Sequence, residues 1–397
     1  MQETISFLMS IPLLISRALP GFKAGFLAIL ILAATRPCIA ASYQAVNLLD
    51  EVRDFADIMR MDGREIPGWL DDPALTKVTR EFGPTIIPMD HLPIKSEMAV
   101  GDPKPWSSWW FPKKENRLFH DIDSTHLSVL SKYDLYRRAI YQNAGKPAPP
   151  SAALFEKMAY NPHSLAWEGL CDAWAIAAIS LPEPTQPITI WIDSKSITFS
   201  VGELKALLLK TFEAVNDSDL NIYGQKFTGD SRGWIFPDIF PDQFHRFLEI
   251  QLFQRKQAFF MDHDPGIQVW SVPVYKANYT VSAIPGDPNA VFVQAWVFSA
   301  ESGEVDQIDF IGTREAVREY NYILKGVRNK DNDLVITSGY WVKGPDGVDS
   351  RQDHPDYVVQ IPAPAKIARK SWNPEIEIKL VDKILFHARS AKEMKDQ

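Results

Sequence analysis

The sequence predicts an α+β fold, with helices mainly in the first half of the chain and an antiparallel sheet mainly in the second. Two observations support this class. Helical spacing and capping signals cluster before about residue 255, whereas alternating apolar runs follow it. In addition, 29 prolines in 397 residues interrupt the chain too often for long helices throughout. A hydrophobic content of 46% at this length is enough for a sizeable core.

Each predicted element has its own local signal. The predicted helices cover residues 44–61, residues 171–181 up to Pro182, residues 200–215 with capping-box spacing between Ser200 and Glu203, and residues 241–254. A hairpin is predicted at residues 188–192 and 196–200. Alternating strands are predicted at residues 258–261, 268–274, 291–298, 335–342 and 357–361. Residues 146–151 (KPAPPS) have the composition of a stiff linker.

The first forty residues have the pattern of an export signal. Arg17 and Lys23 supply positive charge, residues 24–34 are apolar, and residues 38–40 (CIA) suit cleavage before Ala41. The apolar run is shorter than the roughly 20 residues that span a bilayer, and a retained anchor is the alternative. We therefore expect a secreted or periplasmic protein.

Charge and cysteine content narrow the function further. Without residues 1–40 the chain has a net charge of −10, which argues against nucleic acid or an anionic membrane as a stable partner. Cys38 leaves with the signal, so Cys171 is the only thiol of the exported chain. A lone thiol in an oxidising compartment is expected to be either buried or used in chemistry.

Cys171 lies where a helix is predicted to begin, and a helix N-terminus favours the thiolate form of a cysteine. Gly169 permits a tight turn before it, and several alanines after it make a slim helix that can pack closely. The alternative is an inert cysteine in an apolar core. The surrounding motif favours a nucleophile.

Five motifs in order resemble the transglutaminase-elicitor family, which contains oomycete cell-wall transglutaminases and bacterial relatives. They are residues 105–112 (PWSSWWFP), 131–134 (SKYD), 167–175 (WEGLCDAWA) with 182–184 (PEP) after it, 269–274 (VWSVPV), and 339–341 (GYW) with 354–357 (HPDY). Asp172 and Ala173 replace the polar residue and glycine that follow the family's cysteine. A carboxylate beside the thiol opposes thiolate formation unless its side chain points away.

The resemblance implies a cysteine acyltransferase, and the sequence predicts no cofactor and no metal-binding residues. In this reaction Cys171 attacks a glutamine carboxamide of a protein substrate, and an amine donor takes the acyl group from the thioester. The implied organisation is a signal peptide (1–40), an N-terminal helical extension (41–100), a catalytic domain (101–362) and a C-terminal tail (363–397). Rival interpretations are a cysteine peptidase or glutamine deamidase, and a non-catalytic secreted binding protein.

A base and an orienting acid are expected to accompany the thiol. We predict His245 as the base because it opens a helix downstream of the cysteine; His263 and His354 are the alternatives. Asp262 closes the strand at residues 258–261 and is the predicted orienting acid, with Asp264 in reserve. Both aspartates have an alternative role in capping the turn that follows.

Two tryptophans are the predicted walls of the substrate cleft. Trp110 closes the tryptophan-rich motif, and Trp167 opens the motif around the cysteine. An indole N–H beside the nucleophile would also stabilise an oxyanion. The alternative for each tryptophan is a place in the core.

Overall fold

The computed structural model describes residues 76–393 except 193–194, 225–237 and 266–267. The predicted signal peptide and the predicted helix at residues 44–61 lie outside the described residues. Seven helices are present in the described part: α1 (Lys77–Phe82), α2 (Val129–Asn143), α3 (Ala152–Ala159), α4 (Cys171–Ser180), α5 (Val201–Lys210), α6 (Pro241–Leu248) and α7 (Ile378–Glu393). Glu249–Gln254 continue α6 as a π-helix.

Twelve strands are described. They are β1 (Ile86–Ile87), β2 (Ile94–Lys95), β3 (Ala99–Val100), β4 (Ile188–Ile192), β5 (Lys195–Phe199), β6 (Asn221–Gly224), β7 (Phe259–Asp262), β8 (Ser271–Ile284), β9 (Asp287–Ala300), β10 (Glu315–Arg328), β11 (Leu334–Trp341) and β12 (Tyr357–Gln360). Strands β4 and β5 form a separate hairpin. The predicted α+β class is confirmed, because most helices precede β7 and the long antiparallel strands follow it.

The main sheet has ten antiparallel strands in the order β1-β11-β10-β9-β8-β7-β12-β6, with β2 and β3 also paired to β8. The first four residues of β8 pair with β7, and its later residues pair with β3 and β2. Strand β7 is short and ends at Asp262, which pairs with Ser271, the first residue of β8. The sheet therefore brings the chain segments around these two residues together.

The two faces of the sheet carry separate hydrophobic cores. Helices α2, α4, α5 and α7 pack on one face, whose core includes Phe260 and Tyr357. Helices α1 and α6 pack on the other face, whose core includes Phe259, Met261 and Val358. Because side chains alternate along a strand, neighbouring residues of β7 and β12 enter opposite cores.

Two segments predicted to lie outside the catalytic domain contribute to the main sheet and to the core. Residues 86–100, assigned to a helical extension, contribute β1, β2 and β3 to the main sheet. Residues 363–397, assigned to a tail, contain α7, which buries Leu380, Val381 and Ile384 in the core and contacts α5 and β4. Residues 86–100 lack a long alternating run, so no pattern predicted their strands. Val381, Ile384 and Leu385, in contrast, have the spacing of one helix face, and this signal for α7 was missed.

Several local predictions are confirmed at residue level. Helix α4 begins at Cys171, and the capping box of α5 forms with Ser200 and Glu203 bonded reciprocally. That helix ends at Lys210, earlier than predicted. The sequence patterns missed α2 because it buries charged residues: Asp134 caps α3, and Arg137 bonds Glu375 and Glu377.

In the part of the chain that the structure describes, no helix is both long enough and apolar enough to cross a membrane.

Candidate active site

Cys171 is the first residue of α4, and a close contact with the tryptophan-rich motif fixes that helix start. The Leu170 amide donates to the Trp110 carbonyl at 2.6 Å. A Cβ on Gly169 would lie 2.6 Å from Trp110 Cδ1 and 2.8 Å from its carbonyl oxygen, so only glycine fits there without displacement. Residues 173–179 of the helix are all buried, which makes α4 a central core element.

The Cys171 thiol is buried, with 7% of the residue exposed. Its sulfur lies 3.6 Å from the Val269 carbonyl oxygen, to which the S–H donates. Burial, together with the carboxylates of Asp172 and Asp262, raises the thiol pKa to about 12 against a lowering by the Ser271 amide. The substrate-free site therefore holds a neutral thiol at physiological pH.

Asp262, the last residue of β7, is fully buried on the same side of the sheet as Cys171. Its Oδ1 accepts from the Trp270 amide at 2.9 Å and from the Asp264 amide at 3.3 Å, so one oxygen does cap the turn. Its Oδ2 is buried and has no hydrogen-bond partner. Burial raises the pKa of Asp262 to about 8, and the nearby Asp356 and Asp172 contribute to the increase.

Two further side chains join this cluster, and neither was predicted as a site residue. The Ser271 hydroxyl donates a short hydrogen bond to Asp172, so the carboxylate after the thiol is held against β8. Tyr357 lies close enough to Asp172, Asp262 and Cys171 for their charges to raise its pKa, after the larger effect of burial. Ser271 belongs to the motif VWSVPV and Tyr357 to the motif HPDY. Their place in these motifs is the sequence signal that could have identified them as site residues.

The structure does not bring His245 to the thiol. It lies on α6, which packs on the opposite face of the sheet, against β10 and β11. Its Nδ1 shares a hydrogen bond with the Tyr322 hydroxyl at 2.7 Å, and its ring contacts Tyr279 edge-on. Burial lowers the pKa of His245, which keeps the imidazole neutral. The helix was predicted correctly, but its buried side faces the other core.

The two alternative histidines also have other partners. His263 is the first residue after β7 and lies on the opposite side of the sheet, where its Nε2 is 3.2 Å from Arg318 Nη2. Burial and Arg318 lower its pKa to about 3. His354 bonds the Ser350 carbonyl and Asp238, each at 2.8 Å, and stacks on Trp341. Asp264, the reserve acid, is half-buried and donates its amide to Asp262.

The predicted cleft tryptophans lie beside the start of α4. Trp110 is half-buried, meets Trp270 edge-on at 5.5 Å, and has a buried indole N–H without a hydrogen-bond partner. Trp167 is partly buried and packs against the core on the α4 face. Trp110 is thus the tryptophan whose contacts reach both the helix start and the segment before β8.

Together these residues form a thiol surrounded by carboxyl and hydroxyl groups. Among the described residues, no group of three or more His, Cys, Asp or Glu side chains is arranged to hold a metal ion. The arrangement offers a nucleophilic sulfur, a carboxyl group whose pKa is near neutral, and an unpartnered indole N–H. Such a set is suited to acyl transfer, in which a proton leaves the thiol as sulfur attacks a carbonyl.

Comparison with known proteins shows which family and which fold this part of the chain resembles. The model of the family described as Transglutaminase elicitor matches residues 162–287, which include Cys171 and Asp262. The predicted resemblance is confirmed. The crystal structure of the GP42 transglutaminase from Phytophthora sojae matches with a TM-score of 0.54 and 18% identity. That match covers 80% of this chain and 98% of the other. The chain therefore has a transglutaminase-like fold. A search of the curated proteins gives no match.

Proposed function

We propose that the protein is a cysteine acyltransferase of the transglutaminase type. The observation that carries the proposal is the position of Cys171: the first residue of a buried helix in a transglutaminase-like fold, within electrostatic range of Asp262. The substrates are a glutamine carboxamide of a protein and a primary amine. The protein substrate is defined by its glutamine carboxamide, and the second substrate is defined by its primary amine.

In the first half-reaction the thiol proton passes to Asp262 while the sulfur attacks the carboxamide carbon. The C–N bond breaks, the proton returns to the leaving nitrogen, ammonia departs, and a thioester remains on Cys171. In the second half-reaction the amine attacks the thioester, an amide bond forms, and the C–S bond breaks. The proton lost by the amine restores the thiol. Water in place of the amine gives deamidation.

Asp262 takes the role of base in this scheme, and His245 is not retained in it. A carboxylate with an ordinary pKa near 4 is a weak base toward a thiol, whereas one with a pKa of about 8 is much better matched. The free Oδ2 supports this role because it accepts no other hydrogen bond. Trp110, through its unpartnered indole N–H, is the proposed donor to the oxyanion.

The test is incorporation of a fluorescent primary amine into a glutamine-rich protein. Wild-type protein is expected to label the substrate, and Cys171→Ala is expected to give no label above background. The matched control is Ala173→Ser, a small change on the same helix that leaves the thiol in place. Equal labelling by wild type and Cys171→Ala would overturn the proposal.

A second function is a binding protein without catalysis, and one observation favours it. The thiol pKa is raised to about 12, which disfavours the nucleophilic form. If wild type gives neither amine labelling nor ammonia release, while Cys171→Ser keeps the same stability, the cysteine is a core residue. The transglutaminase-like fold would then serve recognition alone.

Export is part of the proposed function, and the N-terminal pattern of residues 1–40 supports it. We expect the protein recovered from outside the cytoplasm to begin near Ala41. N-terminal sequencing measures this directly. A product that still carries Met1 or Met9 would favour a retained anchor.

A further inference from the structure

A buried lysine and a buried asparagine from distant parts of the chain contact the same carboxylate. Lys210 ends α5 and Asn373 precedes α7, and neither residue is exposed to solvent. Glu156 of α3 lies between them: its Oε1 is 2.8 Å from Lys210 Nζ, and its Oε2 accepts from Asn373 Nδ2 at 2.9 Å. One carboxylate therefore holds together an amine and a carboxamide, the two groups that form an amide bond when ammonia is lost.

The hydrogen-bond partners of Asn373 fix the orientation of its carboxamide. Its Nδ2 also donates to the Ala152 carbonyl at 3.0 Å, while its Oδ1 accepts from the Glu375 amide at 3.0 Å. A carboxamide turned the other way would set its oxygen against two acceptors and its nitrogen against a donor, so only this orientation fits. The nitrogen that would leave thus faces Glu156. The oxygen that becomes negative when the carbon is attacked faces a backbone N–H, which stabilises that charge.

A second carboxylate, Glu213, lies 2.6 Å from Lys210 Nζ. Burial raises the pKa of Glu213, and the charges of Lys210 and Lys113 oppose this increase. Glu156 differs from Glu213 because it also accepts a hydrogen bond from the nitrogen of Asn373, which makes it the carboxylate that can carry a proton between the two nitrogens. A proton transfer from Lys210 to Glu156 neutralises both groups, and burial favours the neutral forms.

We propose that Lys210 and Asn373 form an amide crosslink between their side chains, with Glu156 as the proton carrier. Lys210 Nζ gives a proton to Glu156 and attacks Asn373 Cγ. The Nζ–Cγ bond forms and the Cγ–Nδ2 bond breaks. Both protons that the lysine nitrogen loses depart with the leaving nitrogen as an ammonium ion, one of them by way of Glu156, which returns to its starting form. The reaction changes no oxidation state and needs no further reactant.

The position of the crosslink gives it a use in the fold. It would join the end of α5 to the segment before α7, whose residues Val381 and Ile384 lie in the core. Closing a long loop of the chain stabilises a protein mainly by restricting the unfolded state. A disulfide cannot do this within the exported chain, because Cys171 is its single cysteine. A cavity of about 450 Å³, lined by Glu156 and Trp372 among others, gives the leaving ammonium ion a way out.

Mass spectrometry of the denatured full chain tests the crosslink, in the Cys171→Ala background so that acyl transfer through the thiol cannot form the bond. The outcome is therefore independent of the proposed function. We expect an intact mass that is lower, by one ammonia, than the mass calculated from the sequence and the measured N-terminus. A tryptic digest should contain the peptide with Asn373 joined to the peptide with Lys210. An intact mass equal to the calculated one, with the two peptides separate, would overturn the proposal.

Two variants assign the roles within the same background. Lys210→Arg keeps the positive charge but removes the nucleophilic amine, and Glu156→Gln removes the proton carrier with little change in size. Each is expected to have the full calculated mass, with circular dichroism confirming that it is folded. The matched control is Lys132→Arg, because Lys132 also binds a carboxylate, that of Glu203 at 2.6 Å, and it should still lose ammonia. Loss of ammonia that persists in Lys210→Arg or in Glu156→Gln would contradict the assigned roles.

Discussion

The two faces of the main sheet both bury ionisable groups, but they treat them differently. On the α6 face, His245 is bonded to Tyr322 and packed by Tyr279, and burial keeps it neutral. On the α4 face, one oxygen of the buried Asp262 has no hydrogen-bond partner. The contrast holds for these two groups and not for the whole faces, because the α6 face also buries the Tyr320 hydroxyl without a hydrogen-bond partner.

This difference distinguishes buried groups that stabilise the fold from buried groups that take part in chemistry. A buried group whose hydrogen bonds are complete stabilises the fold, whereas unmade bonds around a group with a perturbed pKa mark a site prepared for a ligand or a proton. The position of a histidine downstream of a cysteine therefore does not identify it as the catalytic base until its hydrogen-bond partners are known. Here the histidine is part of the core, and the aspartate at the strand end remains the candidate for chemistry.

The largest expected effect is on turnover. Asp262→Asn should lower the rate of amine incorporation by about 10²–10⁴-fold, because it removes the proposed base without changing the side-chain size. His245→Gln, assayed per folded molecule, should leave the rate nearly unchanged. An equal loss in both variants, with their stability intact, would contradict the distinction between the faces. Labelling of a glutamine-rich substrate measures both rates.

Alkylation of Cys171 by iodoacetamide tests the thiol environment directly. With a pKa of about 12, the thiolate fraction at pH 8 is about 10³-fold lower than for a thiol at its reference value of 9.0. We expect native protein to react correspondingly more slowly than unfolded protein, with a rate that keeps rising between pH 7 and pH 10. A plateau near pH 8 would show an activated thiol instead. Mass spectrometry at timed intervals supplies the rates.

His245→Ala should destabilise the fold by about 2–4 kcal/mol, because it leaves a cavity and a buried Tyr322 hydroxyl without its partner. Denaturant unfolding measures the change. His91→Ala is the matched control, since His91 is exposed and pairs only with the neighbouring Asp90. A loss below about 0.5 kcal/mol for His245→Ala would mean that the α6 network is not structural.

The contributions of Asp262 and His245 to the stability of the fold should change with pH in opposite directions. Asp262 has a raised pKa, so its contribution to stability is present at acid pH and is lost as pH rises from about 4 through 8. His245 has a lowered pKa, so its contribution is present above about pH 6.5 and is lost as pH falls. Relative to wild type, Asp262→Asn should therefore be more stable at pH 9 than at pH 5, on the order of a few kcal/mol.

The matched variant for that comparison is His245→Gln, whose stability relative to wild type should improve toward acid pH instead. Chemical unfolding at pH 5 and pH 9 yields both differences. If the two variants shift in the same direction, the pKa changes do not arise from the separate environments described above.

The smallest expected effect concerns the contact that fixes the start of α4. Gly169→Ala should cost about 1–3 kcal/mol, because its methyl group would overlap Trp110. Gly303→Ala is the control, since a Cβ there meets its nearest neighbour at 3.3 Å. Equal stability of Gly169→Ala and wild type would indicate that Trp110 can move away from the helix start.

The sequence by itself determined the features that arise from interactions between residues close together in the chain. The helix start at Cys171, the capping box of α5 and the strand that ends at Asp262 follow from neighbouring residues, and the family motifs followed from the order of short segments. These features require only hydrogen bonds and periodicity within a few residues of the chain.

Only the tertiary structure decided which side chains meet. Alternation along β7 directs Asp262 to the α4 face, and His263, just after the strand, lies against Arg318 on the other face. The packing of α6 places His245 across the sheet from the thiol. The pairing of β7 with β12 and β8 brings Tyr357 and Ser271 to Cys171 from 186 and 100 residues farther along the chain. Such proximity depends on strand register and on the face that each element buries, and no local pattern encodes either.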